Sequence, residues 1–307
     1  ETMGRRLRTM WRLSDPERHG ARGATAPSVV VASVRALVQR LGPHAAEAAP
    51  VVVGHGDQVD PGELVERLVA MGYRREYQVE HRGEVAVRGS IVDVFGSTAD
   101  APVRIDLWGD EVDRLCTFAV GDQRALVDVA EVELFGCREL LVTDDVRQRA
   151  AALVHEAPWG AEHWERLADG VVFDGMESWL PWLTSDEQVL FDLVGSDALV
   201  LLVEPSRLVD RANDIGAEEA DLAATLARTW DVAEGTTLPS LHLPFDRLLS
   251  HTDAPAWSVV GTADRDGTPT VEVAGWRPVH DEGRPLIEQL RTLTEGGATK
   301  TGATGVG

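Results

Sequence analysis

Between residues 76 and 118 the apolar residues of this chain stop recurring at helical spacing and begin to alternate, and that change of period constrains the fold most. Along PVRIDLW, residues 102–108, Val103, Ile105 and Leu107 take every second position, with Arg104, Asp106 and Trp108 between them. Strand side chains point alternately to opposite faces, so one face reads as core while the other displays arginine, aspartate and tryptophan. Turn residues punctuate the stretch at Gly83, Gly89, GSTADAP (96–102) and GDE (109–111). Such segments predict an antiparallel meander of short strands.

Helical signals flank it. GRRLRTMWRL, near the start, has amphipathic spacing and is followed by SDPERHGARGATAP, a connector rich in Pro, Gly and Ala. SVVVASVRALVQRLG predicts a buried strand over 28–32 feeding a helix over 34–41, one βα step of an α/β layer. Asp60 suits a helix cap, Pro61 the first turn and Gly72 the stop, and Leu64, Val65, Leu68 and Met71 share one face. A linking segment runs on through Cys137. Further along, TDDVRQRAAALVHEA predicts a helix capped by Thr143, DALVLLVEP (197–205) a second buried strand, and 206–230 a long helix. TEGGATKTGATGVG (294–307) carries no hydrophobic pattern and reads as linker.

With 307 residues, 44% of them hydrophobic, the chain has room for about two domains with real cores. A formal charge of -22 opposes duplex binding over most of the surface, because that binding needs Lys and Arg to displace counterions from phosphates. Two cysteines, Cys116 and Cys137, are too few for a disulfide framework or a four-ligand zinc site and fit small core positions in a reducing compartment. No apolar run reaches the roughly 18 residues of a membrane span, and no signal peptide opens the chain. The expectation is a soluble, cytoplasmic protein.

Catalytic patterns are sparse. The nearest approach to a phosphate-binding loop, from Gly297 to Gly302, is followed by Ala303 where the pattern requires lysine. GHGD (54–57) could supply a His/Asp acid–base or metal pair, but a loop entering the Asp60-capped helix explains those residues equally well. Asp106, Asp110, Glu111 and Asp113 fit a solvated hairpin end better than a metal site, since neighbouring strand positions diverge. Trp179 and Trp182 lack interleaved basic residues and read as packing more than as base-stacking platforms. Arg88, Arg104 and Trp108 have two readings. Isolated arginines on a half-exposed sheet are ordinary solubilising charges, whereas arginine with tryptophan on an outer face is the composition of a protein–protein hot spot. Periodicity does not choose between them.

Residues 72–126 resemble the UvrB-like region of the bacterial transcription-repair coupling factors. The likeness rests on Gly72-Tyr73, GEVAVRG (83–89), DVF (93–95), PVRID (102–106), GDE (109–111) and FAVGDQR (118–124) in fixed order. Weaker likeness extends over roughly residues 1–290. The resemblance implies an α/β fold, α+β overall: a degenerate helicase-type domain 1A, an inserted antiparallel-sheet domain 2, and an α/β domain 1B. On this sequence these fall at 1–49 (a shortened 1A), 50–135 (domain 2) and 136–275 (1B), with a connecting helix and tail at 276–307.

It further implies a non-catalytic adaptor whose domain 2 recruits the excinuclease subunit UvrA to stalled RNA polymerase for nucleotide excision repair. The family's partner-contacting positions fall on Arg88, Arg104 and Trp108, the last where phenylalanine is common. DVFG departs from a frequent DVFP at Gly96, where no contacting side chain is lost. Two planar guanidiniums beside an indole would form a local basic exception on an acidic surface and suit a partner's carboxylates. No cofactor is implied for this segment; ATP and Mg2+ belong to the motor domains of the full-length proteins, as do the contacts to RNA polymerase and DNA. Masking of domain 2 by a C-terminal domain is implied as well. The rival readings are a UvrB-type damage-binding helicase subunit and a generic nucleic-acid binder.

Overall fold

The computed structural model describes residues 2–14, 27–232, 236 and 238–261. The connector over 15–26 and the stretch 262–307, with the expected tail and connecting helix, lie outside the described residues. Helix α1 (Thr2–Ser14) presents Leu7 and Met10, one turn apart, to Leu41, Ala45, Ala46 and Leu190. The strand expected over 28–32 does not form: Val29 and Val31 are 78% and 92% exposed. A β-branched run becomes a strand only where another backbone satisfies its N–H and C=O groups. Helix α2 is correspondingly short (Val34–Val38), with Ser33 accepting from Ala36 N at 3.4 Å and Gln39 already extended.

Strand β1 (Val51–Gly54) precedes α3 (Pro61–Ala70). Asp60 Oδ1 accepts the Glu63 amide at 2.9 Å, Pro61 occupies the first turn, and Leu64, Val65 and Leu68 are buried. Gly72, at φ +91°, ends it; a Cβ there would lie 2.3 Å from Arg138 Cγ.

A six-stranded sheet follows, its spatial order matching chain order: β2 (Arg74–Arg75), β3 (Glu84–Arg88), β4 (Ile91–Phe95), β5 (Val103–Trp108), β6 (Glu111–Phe118) and β7 (Ala125–Asp128). The predicted antiparallel meander is present from β3 to β6. It opens on a short parallel pair, β2 with β3, and extends through β7 into what had read as linking chain. Strand β8 (Glu131–Leu134) leaves the sheet and pairs antiparallel with β1. The inner face of the sheet, with Val85, Val92, Val94, Ile105 and Leu115, packs on Leu64 and Leu68 of α3. Each such buried side chain contributes about 1.5–3 kcal/mol.

Beyond the sheet, α4 (Asp144–Glu156), α5 (Ala161–Ala168) and α6 (Leu180–Leu183) enclose an aromatic core. Trp159 stacks on Trp230 at 4.8 Å, Trp164 meets Trp179 edge-on at 4.8 Å, and Trp164 Nε1 donates to Ala157 O at 2.9 Å. Trp179 and Trp182 are thus packing residues. Thr143 stands at the cap of α4, but its hydroxyl donates to the Asp145 carboxylate and makes no cap bond to the helix. Strand β9 (Val200–Val203), helix α7 (Pro205–Thr229), helix α8 (Phe245–Leu248) and strand β10 (Ala256–Val259) close the described chain, with β9 and β10 parallel. The second strand expected to be buried is buried on one face alone. Val200 and Leu202 point inward, while Leu201 and Val203 are more than half exposed, because a two-stranded sheet has one covered side. The molecule is α/β, and no helix among the described residues is long and apolar enough to cross a membrane.

Candidate partner-binding face

Strand register brings the predicted residues onto the outer face of the sheet. Ala86 opposes Asp93, Asp93 opposes Arg104, and Arg104 opposes Cys116, forming one row across β3 to β6. Arg88, Ile91, Asp106 and Arg114 form the next row, and Trp108 stands beyond it opposite Glu111. From strand and residue spacings the three predicted side chains lie within about 15 Å of one another. The register steps between Asp106 and Leu107, leaving Asp113 unopposed on β6. The predicted alternation on β5 is unaffected.

Two glycines explain why Arg88 and Trp108 stand where they do. Arg88 pairs with Ile91 across Gly89-Ser90, and Trp108 with Glu111 across Gly109-Asp110. Gly89 and Gly109 both have φ +64°, the left-handed conformation that two-residue hairpin loops require at their first position. Arg88 and Trp108 are each the last residue of their strand, and both hairpins turn at the same end of the sheet. Leu107 N donates to Ser90 O at 2.9 Å, joining the two turns.

At the centre of the face lies a residue that sequence reasoning passed over. Asp93 is 1% exposed and accepts from both arginines: Arg104 Nε to Oδ1 at 2.7 Å, Arg104 Nη2 to Oδ2 at 2.9 Å, and Arg88 Nη2 to Oδ2. Arg104 also donates from Nη1 to Gln123 O at 3.1 Å and lies 4.6 Å over the Phe118 ring. Its hydrogen bonds to Asp93 raise the guanidinium pKa above its ordinary value. Phe118 belongs to a small outer core with Val79, Ala86 and Phe95. The signal for Asp93 was available as the single charge within IVDVF, read as strand alone.

The two arginines expected on this face differ in exposure. The Arg104 side chain is 15% exposed and that of Arg88 36%, whereas Trp108 is 83% exposed. With Asp93 between them, the two guanidiniums carry one net positive charge instead of two. Arg114 is neutralised in turn by Asp128 at 2.7 Å. At the edge of the face, Glu84 is 5% exposed. Its burial opposes ionisation, but the amides of Glu80 and His81, each at 2.8 Å, outweigh that and hold its pKa below the ordinary value.

The other candidates have structural explanations. Asp57 Oδ2 accepts the Gly54 amide at 2.7 Å, so GHGD is a loop closed on itself. Asp110, Glu111 and Asp113 are exposed at the hairpin, and among the described residues no His, Cys, Asp and Glu group is arranged to hold a metal ion. Cys116 and Cys137 are free thiols, the first buried and the second half-buried. A groove of about 340 Å3 between β1 and the start of α3 is lined by Val52, Asp57, Asp60, Glu63 and Arg67, and none of Arg88, Arg104 and Trp108 lines it. A sheet face carrying an exposed indole and a partly open arginine is suited to another protein's surface.

Residues 51–140 match the family described as UvrB interaction domain. The transcription-repair-coupling factor of Mycobacterium bovis is 37% identical over 244 residues, covering 76% of this chain and 19% of that protein. The corresponding proteins of Bacillus subtilis and Escherichia coli are 26% and 29% identical, over 71% and 59% of this chain and 20% and 15% of their own lengths. The chain spans about a fifth of the length of the curated relatives it matches. It therefore carries a UvrB interaction domain at residues 51–140 and is related over most of its length to the transcription-repair-coupling factors.

Proposed function

We propose that this chain is a non-catalytic docking module of a bacterial transcription-repair coupling factor, and that the outer face of its sheet binds UvrA. The supporting observation is the exposed indole of Trp108 on the same sheet face as the partly open guanidinium of Arg88, in a UvrB interaction domain. The domains run as 1–49, 50–135 and 136–275, domain 2 being the UvrA-binding part. In the whole protein, this module brings UvrA to stalled RNA polymerase in nucleotide excision repair. The ATP-driven motor, the polymerase and DNA contacts and the C-terminal domain that covers domain 2 lie in other parts of that protein.

Titration of the purified chain with UvrA tests this. Trp108→Ala and Arg88→Ala, both at strand ends, each weaken binding by about 1–3 kcal/mol while circular dichroism is unchanged. Wild-type affinity in both variants, or ATP hydrolysis by the chain alone, overturns the assignment.

A further inference from the structure

The arginines Arg88 and Arg104 differ in what they have left to offer. A guanidinium has five N–H groups. Arg104 turns Nε–H and one group on each terminal nitrogen inward, onto Asp93 and the Gln123 carbonyl, and its flat side is covered by Phe118. Arg88 commits one terminal nitrogen, Nη2, to Asp93. Its Nε and Nη1 have no partner among the described residues, and its side chain is more than twice as exposed as that of Arg104. Nη2 keeps a second hydrogen beside the one given to Asp93, so one edge of the Arg88 guanidinium, formed by Nη2 with Nε or with Nη1, is open to the bidentate contact a carboxylate makes.

Asp93 is what makes the two unequal. Its backbone is fixed in a central strand, flanked by paired neighbours on β3 and β5, and its carboxylate is inaccessible to solvent. It is clamped by Arg104 from its own row and reached diagonally by Arg88 from the strand end. A free arginine at a hairpin end samples many rotamers and loses side-chain entropy when it binds. An arginine already tied to a fixed carboxylate has given up part of that freedom before the partner arrives.

We propose that Asp93 is a positioning residue: with Arg104 as its anchor, it presents the open guanidinium edge of Arg88 to an acidic side chain of the partner. This rests on the docking reading for the identity of the partner, but the positioning role is measurable without one. A purely electrostatic role for the face predicts the opposite effect of removing Asp93, since neutralising a carboxylate adds positive charge toward an acidic partner.

The test has two arms. In the first, the arginine side chains are labelled with 15N at Nε and followed by NMR in the chain alone. Arg104 Nε–H exchanges with water slowly, Arg88 Nε–H exchanges quickly but is ordered, and Asp93→Asn makes Arg88 mobile. Equal exchange at the two arginines in the unmodified chain, or an Arg88 that is as mobile with Asp93 as without it, overturns the proposal.

In the second arm UvrA is the probe. Arg88→Ala weakens binding about 10- to 100-fold, and Arg88→Lys does not restore it, because an ammonium lacks the second parallel donor. Asp93→Asn weakens binding several-fold despite the added positive charge. In the Arg88→Ala background the same Asp93→Asn change has less than about a twofold effect, since it acts through Arg88. A general loss of sheet structure would weaken both backgrounds alike. Tighter binding by Asp93→Asn, or an equal loss with and without Arg88, overturns the proposal. Failure of the unmodified chain to bind UvrA removes the docking reading, and the spectra then decide the positioning role alone.

Discussion

Replacing Asp93 by alanine tests how the outer face is held together. The substitution removes three charge-assisted hydrogen bonds and leaves two guanidiniums facing each other across a gap. Breaking a buried ion pair by deleting one partner costs about 3–5 kcal/mol, most of it from the stranded charge. Arg88, a third exposed, can swing into water and recover part of that; Arg104, stacked on Phe118 at 15% exposure, recovers less. The expected loss is therefore about 3 kcal/mol, at the lower end of that range. Adding Arg104→Met to Asp93→Ala removes the stranded charge and restores at least half the loss, because an apolar replacement of a buried pair is close to neutral. Urea unfolding followed by circular dichroism, with amide exchange in β4 and β5 to localise the effect, provides the measurement. A single variant within about 0.5 kcal/mol of wild type, or a double variant worse than the single, would refute the reasoning.

Other consequences can be measured in the same preparations. Gly109→Ala should cost about 1–2 kcal/mol from the positive φ alone, since nothing lies within 4 Å of the added Cβ, while Gly121→Ala, equally unobstructed and without a positive φ, should be close to neutral. Burial disfavours ionisation of Glu219, but its bonds to His242, Ser240 and the Leu241 amide outweigh that and lower its pKa to about 2. A depressed carboxylate pKa contributes stability above the unfolded value near 4.5, and that contribution is lost as the pH falls toward 2. Urea midpoints of wild type and Glu219→Gln should differ at pH 6 and converge near pH 2; a constant difference would contradict the assignment. Burial pushes the Cys137 thiol up to about 11, so iodoacetamide should label it at pH 8 at least about tenfold more slowly in the native chain than in urea. Equal rates would show that the thiol is open.

The parts of the fold legible in the sequence are those decided within a few residues. Asp60, Pro61 and the Leu64/Val65/Leu68 stripe specify α3 locally, and alternation along VRIDLW specifies which side chains leave the core. What was not legible depends on partners distant in the chain. The run over 28–32 has every intrinsic property of a strand and pairs with no strand among the described residues, whereas the short β1 is a strand because β8, some eighty residues later, supplies its ladder. Thr143 has the residue type of a cap, but Asp145 competes for its hydroxyl. On the candidate face, strand alternation placed Arg104 and Trp108 on one side, while the division of labour between the arginines depended on cross-strand register. Asp93 lies eleven residues from Arg104 and becomes its direct neighbour only when β4 and β5 pair. A lone aspartate inside IVDVF is the sequence trace of that arrangement, since a buried carboxylate needs donors from somewhere.

The most direct test of the proposed docking face is an amide-exchange footprint of UvrA on the intact chain. If the outer face is the interface, protection on binding is concentrated at the two hairpins around residues 87–91 and 104–111, with β9 and β10 unchanged. Protection confined to the aromatic core over residues 158–183, or spread over β9 and β10 with the two hairpins exchanging as in the free chain, would contradict it.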